Sequence, residues 1–172
     1  MAAGNTYTPI ATNTVTTSVS SYTFSSIPSG YTHLELVVNG QVSAANYTMS
    51  IAFNGNTSNY NHGAIYQLCS ASTFASFKND GQLTSSMMYN GFSTATGVSM
   101  IRYLFPFYTS TAVNKSFIGR ATSTEGYETT VGVGTVNAAT AITSLKISPD
   151  GNNTRASFTA GTTLTLYGIL EA

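Results

Sequence analysis

The chain has 172 residues, of which only 12 are Asp, Glu, Lys or Arg, and its formal net charge is zero. The charged fraction of 7% is far below the roughly 25% of an average soluble domain, and the lack of net positive charge argues against nucleic-acid binding through phosphates. No apolar stretch reaches the about 18 residues of a membrane-spanning helix, and the single cysteine, Cys69, excludes an intrachain disulfide.

Strands are predicted along most of the chain. Thr, Ser, Asn and Gly account for 79 residues, a composition that favours strands and turns over helices. Apolar and polar residues alternate with a period of two in ten segments, the pattern of a strand with one buried face. In chain order these segments are 6–13, 18–24, 33–39, 48–53, 84–89, 99–105, 115–121, 129–136, 144–148 and 164–168.

Segment 99–105 is apolar on both faces. Ile101, Tyr103 and Phe105 lie on one face of the predicted strand. Met100 and Leu104 lie on the other. A strand of this kind is central in its sheet, or a partner covers its second face.

The spacing of strands and turns predicts the fold class. Asn-Gly pairs at 39–40, 54–55 and 90–91 supply residues that tolerate positive φ. About ten short strands separated by such turns indicate an all-β protein, a single jelly-roll-like antiparallel β-sandwich of about 8–10 strands with little or no helix. Residues 18–172 form this domain, and residues 1–17 are either an N-terminal arm or a first edge strand. The window 70–78 is either one helical turn or a short strand.

Residues that could support catalysis are few and scattered. His33 and Glu35 are two apart on the polar face of a predicted strand, which favours an outward pair over a catalytic dyad. Glu125 and Glu128 flank a loop, and loop 150–153 offers oxygen atoms without the spacing of a calcium-binding loop. We therefore expect no enzymatic activity, no cofactor and no metal site, with a weak Ca²⁺ site in loop 150–153 as the open alternative.

Aromatic residues concentrate in loop 56–60 and in segment 103–108. Because Tyr supplies contact area at interfaces at low entropic cost, both are candidate binding segments. Core burial and an assembly interface are both open for segment 103–108. Together with the N-terminal segment it supplies the candidate assembly residues, which are Tyr7, Pro9, Ile10, Tyr103, Phe105, Phe107 and Tyr108. The alternative candidates, in loops that could contact a receptor, are Asn56, Asn59, Tyr60 and Tyr127.

Three longer segments and one short one look familiar. They are 22–36 (YTFSSIPSGYTHLEL), 53–60 (FNGNTSNY), 158–172 (FTAGTTLTLYGILEA) and 141–145 (AITSL). Taken in chain order, they resemble a widespread group of small virion proteins of tailed bacteriophages, variously described as tail-fibre, minor structural or head-decoration proteins. The resemblance implies a jelly-roll-like β-sandwich that assembles on the virion, often as a trimer. It carries over no functional residue, because the shared segments mark strands and turns.

Two functions follow as expectations. The first is a non-enzymatic capsid decoration (cement) subunit, a homotrimer that binds the major capsid protein or other virion proteins, with residues 1–18 as a docking arm. The alternative is a tail-fibre or baseplate module that recognises a host surface glycan or protein. The chain lacks heptads and Gly-X-Y repeats for a fibre stalk, which favours decoration. We expect a virion protein made in the host cytoplasm without a signal peptide, and no binding of nucleic acid or membrane.

Overall fold

The computed structural model describes residues 6–44, 49–68, 74–83, 86–88, 98–123, 128–149 and 156–171. These residues contain twelve strands and no helix. In chain order the strands are β1 (Tyr7–Thr14), β2 (Tyr22–Phe24), β3 (His33–Gly40), β4 (Met49–Phe53), β5 (Tyr60–Leu68), β6 (Phe74–Leu83), β7 (Ser86–Met88), β8 (Ser99–Phe105), β9 (Lys115–Ser123), β10 (Glu128–Val136), β11 (Leu145–Ser148) and β12 (Thr163–Ile169).

The strands form two antiparallel sheets. The large sheet has eight strands in the order β1-β12-β3-β8-β9-β10-β5-β6, and the small sheet has four in the order β2-β11-β4-β7. The predicted all-β sandwich is confirmed, although it has more strands than expected. Strand β5 was absent from the prediction, and the described part of window 70–78 belongs to strand β6, which agrees with the alternative of a short strand rather than a helical turn.

The core lies between the two sheets. Leu36 of β3, Ile101 of β8 and Leu166 of β12 point inward from the large sheet and are fully buried. Phe53 of β4, in the small sheet, meets Phe105 of β8 edge to face, with ring centroids 5.6 Å apart. This contact shows that the sheets pack face to face, so only the opposite faces meet solvent.

Strand β8 is the fourth strand of the large sheet, between β3 and β9. Its burial alternates strictly, with Ser99, Ile101, Tyr103 and Phe105 inside and the intervening residues exposed. The prediction of a central strand is confirmed, and its second apolar face remains open to solvent in this chain.

Strand β1 is one edge of the large sheet, with β6 at the other, and it pairs with β12. Of the two alternatives for residues 1–17, the described part contains the edge strand. No side chain of β1 is fully buried. Pro9, which has no N–H to donate, adjoins a register shift before Ala11. These features discourage addition of another strand at the β1 edge.

Candidate docking surface

The solvent-facing side of the large sheet carries an unusual number of exposed apolar side chains. Twelve large hydrophobic residues are exposed among the described ones, and seven of them lie on this side of the five strands β8, β9, β10, β5 and β6. Their exposed fractions run from 36% to 72%. We call these seven the outer apolar face, and they are Met100, Leu104, Ile118, Val131, Val133, Ile65 and Phe74.

Strand register makes this face continuous. Leu104 of β8 lies opposite Ile118 of β9, and Ile118 lies opposite Val133 of β10. In the next row Val131 of β10 lies opposite Ile65 of β5. Side chains directly opposite on one face of a sheet have Cβ atoms about 4.5–5.5 Å apart. The residues therefore form one patch, of the kind that marks an interaction site in a soluble protein.

The patch contains two shallow depressions that meet at Val131. One has a volume of about 580 Å³ and is floored by backbone at Gly63 and Gly132, with Ile65, Val133 and Ser76 around it. The second has a volume of about 260 Å³. Its lining residues include Met100, Arg102, Arg120, Thr122, Thr129 and Val131.

The inner positions of β10 that precede Val136 are occupied by a threonine and two glycines. Thr130, Gly132 and Gly134 occupy the inner positions of that strand. Gly134 lies opposite Phe117 of β9, and Gly132 lies opposite Gly119, itself the partner of Tyr103. Tyr103 and Phe117 are buried, and Val131 and Val133 take the alternate positions of β10, which face solvent.

Two arginines stand in the outer apolar face. Arg102 of β8 and Arg120 of β9 are directly opposite in register. The Arg102 Nε lies 2.6 Å from the Glu35 Oε1, and the Tyr7 hydroxyl donates to the Glu35 Oε2. Glu35 is only 8% exposed, and Arg102 compensates the negative charge of its carboxylate. No ion pair to Arg120 exists within the described parts of the chain.

Three of the candidate assembly residues are core residues. Tyr103, Phe105 and Tyr108 have no exposed surface. Tyr103 packs edge to face on Phe117, with centroids 5.3 Å apart, and the Tyr108 hydroxyl donates to the Pro28 carbonyl. Their prediction as interface residues is wrong, because burial in the sandwich removes them from any partner. The alternative of core burial, which the sequence left open, holds for these three.

Phe107 remains on the surface because the chain turns after β8. Its φ of 46° is unusual for a bulky residue, and it places Phe107 outside while Tyr108 returns to the core. The Phe107 N–H donates to His33 Nδ1 at 3.1 Å, and the two rings meet edge to face at 4.9 Å.

The N-terminal candidates lie on the surface at the β1 edge. Tyr7 is 41% exposed, Pro9 is exposed and Ile10 is half-buried. The Tyr7 ring packs on Tyr167 of β12, with centroids 4.7 Å apart. Through its bond to Glu35, Tyr7 connects this edge to Arg102 and hence to the outer apolar face.

The loop that contains Asn56 and Asn59 is held by hydrogen bonds to the buried Tyr60. Tyr60 is fully buried, and its hydroxyl accepts a hydrogen bond from the Phe53 N–H at 2.9 Å and donates to the Asn56 carbonyl at 3.3 Å. Burial raises the Tyr60 pKa, partly offset by the bond from Phe53. The prediction of Tyr60 as a receptor contact is therefore wrong.

The other loop candidates differ in position. The Asn56 Oδ1 accepts from the Ser58 N–H at 3.2 Å, so it stabilises the loop. Asn59 is exposed and has a φ of 65°. Tyr127 lies outside the described residues.

Groups for catalysis do not converge in the described parts of the chain. No cluster of three or more His, Cys, Asp or Glu residues occurs there. His33 accepts from Phe107 and Glu35 pairs with Arg102, so each is engaged locally. Cys69, Glu125 and loop 150–153 lie outside the described residues, as does the Glu128 side chain. Among the described residues, no helix has the length and apolarity to span a membrane.

The sequence indicated only part of the outer apolar face. Met100 and Leu104 were recognised as a second apolar face in need of cover. Ile118, Ile65 and Arg120 were missed. A usable signal lay in segment 129–136, where valines alternate with glycine and threonine, yet the alternation alone does not say which set faces solvent.

Comparisons with known proteins add little. No protein-family model matches the chain, and no curated protein matches it. Among solved structures, the galectin LEC-6 of Caenorhabditis elegans is similar at a TM-score of 0.35 with 11% sequence identity. The match covers 98% of this chain and 99% of that one. No function is transferred from so distant a similarity.

Proposed function

We propose that this protein is a non-enzymatic virion subunit that attaches through its outer apolar face. The observation that carries the proposal is the patch of exposed apolar side chains that occupies two adjacent rows across β8, β9, β10 and β5. The resemblance to small virion proteins of tailed bacteriophages supports a role on the virion, and the lack of heptads and Gly-X-Y repeats for a fibre stalk favours capsid decoration as the specific role. The partner is then the major capsid protein or another protein of the shell.

The energetics of the face favour attachment as an oligomer. Full burial of one such side chain contributes about 1.5–3 kcal/mol, so completing the burial of seven roughly half-exposed ones contributes roughly 5–10 kcal/mol. Association of two proteins costs an estimated 4–15 kcal/mol in lost freedom. One face alone would therefore hold weakly, whereas several linked copies gain avidity. This argument supports the proposal of a homo-oligomer, with a trimer as the form that the resemblance implies.

A matched pair of substitutions tests the face. Val133 is 54% exposed on β10, and Val113 is 53% exposed in the loop between β8 and β9 and is not one of the seven residues of the face. Particles produced without this chain are incubated with purified Val133→Asp or Val113→Asp protein, and occupancy is measured. We expect Val133→Asp to lose occupancy and Val113→Asp to retain it, with both proteins folded. Full occupancy by Val133→Asp would refute attachment through this face.

The position on the particle separates decoration from the alternative role. Cryo-electron microscopy of intact particles should place the chain repeatedly over the shell. Density confined to the tail would reject decoration and favour the tail-fibre or baseplate receptor-binding module. Of the loop candidates for that role, Asn59 is the described residue whose exposure suits it.

A further inference from the structure

We propose that the partner surface presents a carboxylate to Arg120, surrounded by apolar side chains. The inference rests on the proposed function, in that it takes the outer apolar face to be the docking surface. It names the chemistry of the partner, which is a different protein chain rather than a second copy of this one.

The two arginines of the face have unequal surroundings. Arg102 and Arg120 lie directly opposite on adjacent strands, an arrangement that is unfavourable for like charges. Glu35 compensates Arg102 through its contact of 2.6 Å. Arg120 is exposed and has no carboxylate partner within the described residues. Among the described side chains of this face, the positive charge of Arg120 is therefore left for a partner to compensate.

The surroundings of Arg120 determine what the partner must offer. The depression of about 260 Å³ beside it is lined by Met100 and Val131 as well as by Thr122 and Thr129. Docking of an apolar surface here removes water from Arg120, and a buried unpaired charge is costly. A carboxylate accepts two parallel N–H bonds from a guanidinium, so it offsets that cost and fixes the register of the contact.

The charge of the face argues against a second copy as the occupant. Glu35 is the acidic residue among the described side chains of the face, and its two oxygens are already bound by Arg102 and Tyr7. A second copy laid face to face would bring more arginine and no available carboxylate from these side chains. A chain with an acidic and apolar surface is complementary to the face.

Three variants test the carboxylate contact. Arg120→Gln removes the charge, Arg120→Lys keeps it without the bidentate geometry, and Lys146→Gln removes a charge from the outer side of β11 in the small sheet. Binding to particles produced without this chain is measured between 50 and 500 mM salt. We expect Arg120→Gln to weaken binding by about 10- to 100-fold, Arg120→Lys to weaken it less, and Lys146→Gln to leave it unchanged.

Each outcome is decisive. If Arg120→Gln binds like wild type while Val133→Asp fails, the carboxylate contact is overturned and the proposed function stands. If wild type does not bind the particles, both are overturned. If sedimentation shows that wild type self-associates in solution and Val133→Asp does not, a second copy covers the face and the inference is overturned. A weaker salt dependence for Arg120→Gln than for wild type supports the inference.

Discussion

Replacement of Tyr103 by Phe should stabilise the protein. Tyr103 is fully buried, and its hydroxyl has no hydrogen-bond partner in the described parts of the chain. Burial raises the pKa of this phenol far above its usual value. The ring packs on Phe105 and Phe117, with centroid distances of 6.3 and 5.3 Å. Phenylalanine preserves both ring contacts and removes the unsatisfied polar atom.

The size of the effect follows from the cost of the buried hydroxyl. An unsatisfied buried donor costs about 1–3 kcal/mol of stability. Removing the hydroxyl recovers this cost but leaves a small cavity, which is destabilising and offsets part of the stabilisation. We expect the free energy of unfolding of Tyr103→Phe to rise by about 1–2 kcal/mol. For a domain of this size Tm should increase by about 2–8 °C. Urea denaturation and thermal melting at neutral pH measure both quantities.

Tyr60 provides the matched control, because it is equally buried but its hydroxyl is bonded to the Phe53 N–H at 2.9 Å. Tyr60→Phe leaves that N–H without its partner, so we expect a loss of about 1–3 kcal/mol. The same chemical change should thus have opposite signs at two buried tyrosines. If Tyr103→Phe destabilises the protein as Tyr60→Phe does, the Tyr103 hydroxyl is bonded and the reasoning is wrong.

Three further predictions concern folding and pH. Ile101→Asp, at a fully buried position, should abolish soluble folding, whereas Val131→Asp on the outer face should fold, as soluble yield and circular dichroism can show. Lys115→Met should lower the free energy of unfolding by about 1–3 kcal/mol, because the Lys115 Nζ donates to two backbone carbonyls at 2.5 and 3.0 Å; an unchanged urea midpoint would contradict this. Burial lowers the pKa of His62 in the folded protein below 6.5. As the pH falls, the imidazole is therefore protonated in the unfolded chain before it is protonated in the folded protein, and the free energy of unfolding should decrease below about pH 6.5. The same titration on His62→Gln should show a flatter dependence.

The sequence predicted the strands that have one consistently apolar face. In β8 every inner residue from Ile101 to Phe105 is apolar or aromatic, and the predicted bounds match the observed ones. Strand β5 was missed because its inner positions include His62 and Ala64 while Ile65 faces solvent. Its period-two pattern therefore does not separate apolar from polar residues, and no local signal reveals the strand.

The candidate site was harder to predict because it depends on packing across strands. Val131 and Val133 face solvent while Thr130, Gly132 and Gly134 take the inner positions of β10, although apolar residues more often take the inner positions of a strand. Arg102 and Arg120 are adjacent only because β8 and β9 pair in one register. Strict alternation from Phe105 predicts that Phe107 is buried and Tyr108 is exposed. The positive φ of Phe107 reverses this, so that Phe107 is exposed and Tyr108 is buried.

The pairing of β1 with β12 has a consequence for biosynthesis. A ribosome makes β1 first among the twelve strands and β12 last, yet β12 lies between β1 and β3 in the large sheet. Neither β1 nor the adjacent edge of β3 can complete its hydrogen bonds until β12 has left the exit tunnel. Closure of such non-local pairings is slow. The first strand of the nascent chain therefore lacks its native partner until the β12 segment has emerged, and only then is the sandwich completed.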